Sequence, residues 1–203
     1  MPDSSKAHWE KIYQTKNHEQ VSWTQAVPQN SLDFIYGFDL PKTAKIIDIG
    51  GGDSKLVDHL LEAGFINLTV LDISATALEK TKLRLGKEAE TLKWIVADIT
   101  EFQPEDSYDL WHDRATFHFL TGEDAVNAYV NMVAKAVSQY LVIGTFSENG
   151  PETCSGLPVR QYTATLLQQC FQSSFKKICC RTKDHTTPFQ TTQNFLFCSF
   201  KRL

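Results

Sequence analysis

Several things are missing from these 203 residues, and each absence removes a class of protein. No apolar run approaches the roughly 18–20 residues of a membrane span. The opening stretch Met1-Pro2-Asp3-Ser4-Ser5-Lys6 has no apolar core, so no signal peptide is expected in it. No Cys-x-x-Cys pair occurs, and the cysteine count, five, is odd. Cys179 and Cys180 are neighbours in a predicted strand, where successive side chains point to opposite faces. They are therefore poor joint ligands, and no metal site is expected. Reduced thiols and a cytoplasmic location are the expectation. A basic surplus is also absent: the formal net charge is −4, which argues against a nucleic-acid partner held by bulk electrostatics. Lys176, Lys177, Arg181, Lys183, Lys201 and Arg202 are scattered at strand-like spacing and read as a solvated face. There is no internal repeat, low-complexity tract or interdomain linker.

What is present is ordinary globular material, 42% hydrophobic and 22% charged. The length suits one domain over residues 1–203 with a substantial core. Trp9, Ile12 and Tyr13 share one helix face. Ser31–Tyr36 reads as a second short helix, and Pro41 breaks the chain after it. From Ala44 strands and helices alternate. The expected strands are Ile46–Ile49, Leu68–Leu71, Lys93–Ala97, Tyr108–Trp111 and Tyr140–Gly144. Asp53 or Ser54 would cap the first helix between them and Ser74 the second. The longest helix starts near Gly122 and carries Val126, Tyr129, Val130, Val133 and Val137 on its apolar face. Such alternation implies right-handed βαβ units and a parallel sheet, an α/β fold. A short helix near Thr165–Cys170 precedes two strand-like runs, Phe175–Thr182 and Asn194–Phe200, which read as an antiparallel pair at a sheet edge.

The segment Ile46-Ile47-Asp48-Ile49-Gly50-Gly51-Gly52-Asp53-Ser54 carries the chemistry. Glycines at a strand-to-helix junction let the backbone turn sharply and approach a ligand. The dinucleotide pattern G-x-G-x-x-G fails, because Lys55 stands where its last glycine belongs. Asp72 ends the second strand, where a two-pronged, acceptor-only carboxylate can take both hydroxyls of a ribose. Asp98 ends the third strand. Three acids at strand ends would face one crevice at the carboxyl edge of the sheet.

This pattern resembles motif I of class I S-adenosylmethionine-dependent methyltransferases, D/E-x-G-x-G-x-G, with Ser54 in place of the last glycine. The resemblance covers about residues 40–203. It implies a Rossmann-like, mostly parallel sheet of seven strands in the order 3-2-1-4-5-7-6, with helices on both faces. Residues 1–40 would form an N-terminal helical lid over a core of residues 41–203. Trp9 and Tyr13 followed by Trp23-Thr24-Gln25, with the strand end Asp113-Arg114-Ala115, are similar to the thiopurine and plant thiol/halide methyltransferase group. Asp113-Arg114-Ala115-Thr116 is close also to the Asp-Lys-Gly-Thr of eukaryotic protein-lysine methyltransferases of the elongation-factor type.

Carried over by position, the resemblance implies S-adenosylmethionine as cofactor. Its contacts would come from Trp9, Tyr13, Asp48, Gly50, Gly51, Gly52, Asp72, Ile73, Asp98, Ile99 and Asp113. Trp23, Arg114, His118 and His185 would face the methyl acceptor, with His185 and Pro188 in the loop between the last strands. Methyl transfer is a displacement at an activated carbon, so the protein must chiefly align the nucleophile and keep it deprotonated. Arg114 could favour an anion or thiolate, and His112 and His118 are candidate bases. Cys154, in the loop Gly150–Gly156, reads as an ordinary thiol. The expectation is methyl transfer to a small molecule with a thiol or other soft nucleophile, by a monomer or weak dimer without membrane or nucleic-acid partners. A protein methyltransferase of the same fold and a non-catalytic cofactor-binding module are the alternatives.

Overall fold

A computed structural model describes residues 3–203, with nothing said of the side chains of Asp3, Ser4 and His18; Met1 and Pro2 lie outside it. The polar opening stretch is therefore described only in part. The chain begins with helices α1 (Asp3–Thr15) and α2 (Gln29–Tyr36). There follow β1 (Lys45–Ile49), α3 (Leu56–Glu62), β2 (Asn67–Asp72), α4 (Ala75–Leu85), β3 (Lys93–Val96) and β4 (Tyr108–Arg114). Helix α5 (Glu123–Ala136) leads straight into β5 (Val137–Phe146). A two-residue hairpin, β6 (Thr153–Cys154) and β7 (Leu157–Pro158), precedes α6 (Ala164–Phe171). Two long strands close the chain, β8 (Phe175–Thr186) and β9 (Thr192–Arg202).

The main sheet has seven strands in the order β3-β2-β1-β4-β5-β9-β8. Without the small hairpin in the numbering, this is the expected 3-2-1-4-5-7-6. The first five strands pair in parallel, and β9 joins β5 and β8 antiparallel. The alternation of side chains divides the core into two layers. Ile47, Trp111 and Leu141 pack with Val133 of α5 and Leu167 of α6. Ile46, Leu110 and Val142 point the other way, against Ile35 of α2 and Leu56 and Leu60 of α3. Both faces of β1 are thus covered, as its β-branched run requires.

Ser74 caps α4, its hydroxyl accepting from the Ala77 N–H at 3.1 Å. Ser54 accepts from the Leu56 N–H, the first of α3. Several details differ from the sequence expectation. Val137 is the first residue of β5, not the last of α5: a β-branched residue with φ −98° and ψ 123° starts the strand without a loop. β3 is an edge strand that stops at Val96, half exposed, rather than running to Ala97. His185 lies within β8, because the hairpin turn occupies residues 187–191 and only Pro188 is in it. Finally, Cys180 and Cys198 sit directly opposite on β8 and β9 and are disulfide-bonded, so these two thiols are not reduced. Cys154, Cys170 and Cys179 are free. No helix among the described residues is long and apolar enough to cross a membrane.

Candidate functional site

A cavity of about 210 Å³ opens at the carboxyl ends of β1, β2 and β4. Its floor is Gly50, with Leu71, Asp72 and Ile73 from the β2 end. Ala97 and Ile99, after β3, form one flank, and Arg114, Ala115 and Thr116, at the end of β4, form the other. Trp9, Tyr13 and Trp23 close it from the N-terminal segment.

Two local features shape the floor. Gly50 has φ +66°, the left-handed region, and a Cβ there would collide with the Thr116 hydroxyl. Its N–H donates to the Leu71 carbonyl at 2.8 Å, holding the β1 exit against the β2 exit. Asp72 is the second feature. Its Oδ2 accepts from the Gly52 N–H at 3.0 Å and its Oδ1 from the Ser74 N–H at 2.8 Å. Each oxygen keeps room for a further donor. Burial pushes the Asp72 carboxyl up to about 6 against these two hydrogen bonds, and the carboxylates of Asp48 and Glu10 add to the rise.

The roof is built from rings at edge-to-face angles. Trp9 meets Trp23 at 5.7 Å and Phe119 at 5.2 Å, and Tyr13 meets Trp23 at 6.1 Å. Burial, with the charges of Asp72 and Asp53, raises the Tyr13 phenol well above its ordinary value, so it stays neutral. Three anchors hold this segment down. Glu10 accepts from the Ala75 N–H at 2.6 Å, at the positive end of α4. Partial burial works against its charge, but hydrogen bonds from Thr76 and Ala75 leave its carboxyl below the usual range. Arg114 donates to the Trp23 carbonyl at 3.1 Å, and His185 Nε2 donates to the Ser22 carbonyl at 2.6 Å.

Of the residues singled out in the sequence, the structure brings Trp9, Tyr13, Trp23, Gly50, Asp72, Ile73, Ile99 and Arg114 to the cavity wall. The others are placed elsewhere. Asp48 lies under the glycine loop, its Oδ1 accepting from His112 Nδ1 at 2.6 Å. His112 Nε2 meets the Ser31 hydroxyl at 2.8 Å, so both ring nitrogens are engaged and His112 offers no base to the cavity. Gly51 and Gly52 let the loop sit on carboxylates: a Cβ on Gly51 would strike Asp48, and one on Gly52 would come within 2.6 Å of Ala77. Asp98 turns Oδ1 onto the N–H and hydroxyl of Thr100, between wall residues Ala97 and Ile99. Asp113 is fully buried; it accepts from the Tyr129 hydroxyl at 2.6 Å and from the N–H groups of Thr116 and Phe117. It shapes the turn that carries Arg114 and Thr116 rather than facing a ligand. His118 is fully buried behind Phe119, its Nδ1 accepting from the Phe146 N–H, and burial with the nearby Arg114 charge pushes it down to about 3. It is neutral and outside the wall. His185 fastens the N-terminal segment to β8; burial lowers its pKa, although the Ser22 carbonyl works the other way.

Sequence reasoning missed Glu10, Phe119, Leu157 and Pro158. Glu10 reaches an N–H 65 residues away, and no local pattern announces that contact. Phe119 follows the Asp113-Arg114-Ala115 turn, and its apolar neighbours could have marked it. Cys154, read as a loop thiol, lies in the wall beside Leu157 and Pro158.

Residues 46–138 match the family model described as a methyltransferase domain. The eEF1A lysine and N-terminal methyltransferase of Mus musculus is 25% identical over 152 residues, 71% of this chain but 22% of that protein. The chain thus spans about a fifth of that curated relative's length. Among solved structures, a SAM-dependent methyltransferase from Anabaena variabilis superposes with a TM-score of 0.76 at 13% identity, covering 99% of this chain and 94% of the other. The 1,6-didemethyltoxoflavin-N1-methyltransferase of Burkholderia thailandensis, crystallised with 1,6-didemethyltoxoflavin and S-adenosylhomocysteine, gives 0.68 at 16% identity over 98% and 84% of the two chains. These likenesses define the fold as the Rossmann-like fold of methyltransferases.

Proposed function

Taking residues 46–138 as the methyltransferase domain their family match describes, we propose that this protein is an S-adenosylmethionine-dependent methyltransferase acting on a small molecule. The observation that carries the reading is Asp72, a buried carboxylate at the cavity wall whose two oxygens are pre-aimed by the Gly52 and Ser74 N–H groups. When bound, S-adenosylmethionine supplies a methyl group already activated by its positive sulfur. The residues present suit it. Asp72 would hold the ribose hydroxyls, and Gly50 leaves the backbone open where any side chain would close the loop. Ile73, Ala97 and Ile99 offer an apolar slot for a flat base. Trp9 and Tyr13 would face the sulfonium, which aromatic rings attract, and would keep water out. Residues 1–40 then act as a lid, with Glu10, Trp23 and Ser22 as its fastening points.

The acceptor side is bounded by Trp23, Phe119, Arg114, Cys154, Leu157 and Pro158. Among the described residues the wall holds no histidine, which fits a soft or already ionised nucleophile with alignment the main contribution of the protein. A small, mostly apolar cavity under a fastened lid favours a small acceptor over a folded protein.

Supply of S-adenosylmethionine with a labelled methyl group to the protein in a cell extract tests this. Label is expected in a low-molecular-weight product that separates from S-adenosylmethionine itself and is absent when the protein is left out. Label confined to protein bands would establish a protein methyltransferase instead, and label in neither would favour a non-catalytic cofactor-binding role.

The raised Asp72 pKa fixes a pH dependence. Hydroxyl donors bind the ionised carboxylate, so the bound state prefers the deprotonated form. Affinity for S-adenosylhomocysteine is therefore expected to be flat above about pH 7 and to weaken as pH falls through about 6. Titrations from pH 5 to 8 check this; affinity that rises on acidification would reverse the assignment.

A further inference from the structure

Arg114 is a partly buried cation with no counter-ion among the described residues. Its single hydrogen bond among the described residues is to the Trp23 carbonyl, at 3.1 Å, which leaves most of its five N–H donors unspent. No carboxylate forms an ion pair with it among those residues, whereas Arg84 and Arg160 are both paired. The groups that act on Arg114 are Asp48, Tyr13 and Cys154, and none of them serves. Asp48 is already bonded to His112. Burial keeps Tyr13 and Cys154 protonated, raising both above their ordinary values. A guanidinium partly withdrawn from water gains from an anion and further acceptors that meet it.

The position of Arg114 shows where that anion would come from. The residue lies in the wall of the main cavity and also in that of a small side pocket lined by Trp23, Thr24, Gln25, Asp53, Ser54 and Lys55. Lys55 brings a second cation there, while Asp53 is held by Arg84 at 3.1 Å. The same cavity wall also carries apolar groups, Phe119, Leu157 and Pro158. The wall that carries Arg114 is thus mostly apolar, and the adjoining side pocket adds the Lys55 cation.

We propose that the methyl acceptor is a small organic anion, such as a carboxylate, with its charged group on Arg114 and Lys55 and its apolar part against Trp23, Phe119 and Leu157. The word acceptor rests on the methyltransferase reading; the anion site itself does not. A planar guanidinium offers two parallel donors to a carboxylate, and Lys55 adds long-range attraction at the entrance. A neutral amide of the same shape would leave those donors unmet, which is where selectivity comes from.

The test uses protein saturated with S-adenosylhomocysteine and tryptophan fluorescence, since Trp9 and Trp23 line the site. Benzoate is titrated against benzamide, and phenylacetate against phenylacetamide. Each acid is expected to bind at least about tenfold more tightly than its amide, as a charge-assisted pair should. Arg114→Gln should erase the preference, Arg114→Lys should restore part of it, and Lys55→Ala should weaken acid binding a few-fold. Binding of S-adenosylhomocysteine is measured separately for every variant. Equal affinity for acid and amide, or binding of neither, in protein that holds S-adenosylhomocysteine overturns the anion site and leaves the cofactor reading standing. A wild-type protein that fails to hold S-adenosylhomocysteine overturns the cofactor reading and the acceptor assignment with it. Should Arg114→Gln fail to fold, the lysine variant and Lys55→Ala decide: an acid preference unaltered in both contradicts the proposal.

Discussion

Asp72→Asn is expected to weaken S-adenosylhomocysteine binding by about 100-fold while the fold persists. The carboxylate has four positions for incoming donors, and the Gly52 and Ser74 N–H groups take two of them. The other two are available to the ribose hydroxyls. An asparagine has one oxygen where Asp72 has two, and its NH₂ group points a donor where a donor must arrive. The loss is of two hydrogen bonds to a charge, each about 1.5 kcal/mol at the low end of the usual range. The Gly52 N–H would also lose its acceptor or compete with the ligand for it, which loosens the loop. Stability should change less than affinity, because burial already penalises the charged form of Asp72 and amide replacement removes that penalty. Calorimetric titration of the variant and a thermal melt separate the two effects. An unaltered dissociation constant would show that the ribose lies elsewhere.

Gly50→Ala is the second large effect, and it strikes stability and binding together. At φ +66° an L side chain is strained by about 1–2 kcal/mol before any contact is counted. The added Cβ then meets the Thr116 hydroxyl, which donates to the Ile49 carbonyl and has little freedom to withdraw. Thr116 is itself fixed, its N–H donating to Asp113. The conflict spreads from the β1 exit to the β4 exit, the two flanks of the cavity floor. A melting temperature lower by roughly 5–10 °C is expected, since about 1 kcal/mol corresponds to roughly 2–4 °C in a chain of this size. Affinity for S-adenosylhomocysteine should fall at least about tenfold, because the loop must move to relieve the clash. A variant with wild-type melting and affinity would mean that the floor is more pliable than the contacts indicate. Gly64→Ala serves as the control: it also has positive φ, but nothing lies within 4 Å of its added Cβ, so it should cost stability alone.

Much of the fold was legible because its signals are local. The β-branched run at Ile46–Ile49, the glycines after it and the cap at Ser74 place the first βαβ unit, although the N-cap position of α3 falls to Lys55 rather than to Asp53 or Ser54. The acids at or near the ends of the first four strands mark the sheet edge that carries the cavity. What each acid does there was not legible. Asp72 faces the cavity, while Asp48 and Asp113 turn inward to His112 and Tyr129. That choice depends on partners 64 and 16 residues away, which adjacent sequence does not report. The histidines fail as bases for the same reason. His112 is consumed by Asp48 and Ser31, His118 is buried neutral, and His185 ties β8 to the N-terminal segment. The Cys180–Cys198 bond needs the register of β8 on β9, and that register is set by a hairpin longer than the apolar pattern shows. Solvated residues such as Lys183 continue β8 well past its buried part.

The aromatic roof was visible as residues and not as geometry. Trp9, Tyr13 and Trp23 can be read from their spacing, but Phe119 and the Ala75 N–H that anchors Glu10 come from distant parts of the chain. Together they give the N-terminal segment enough fixed contacts to form one wall of the site.

The most direct test of the central claim is a calorimetric titration of the wild-type protein with S-adenosylhomocysteine at neutral pH. A cavity floored by Gly50 and Asp72 and roofed by Trp9 and Tyr13 predicts saturable binding of one molecule per chain in the micromolar range or tighter, of about 8 kcal/mol or more. Absence of heat or saturation at millimolar ligand would contradict the account.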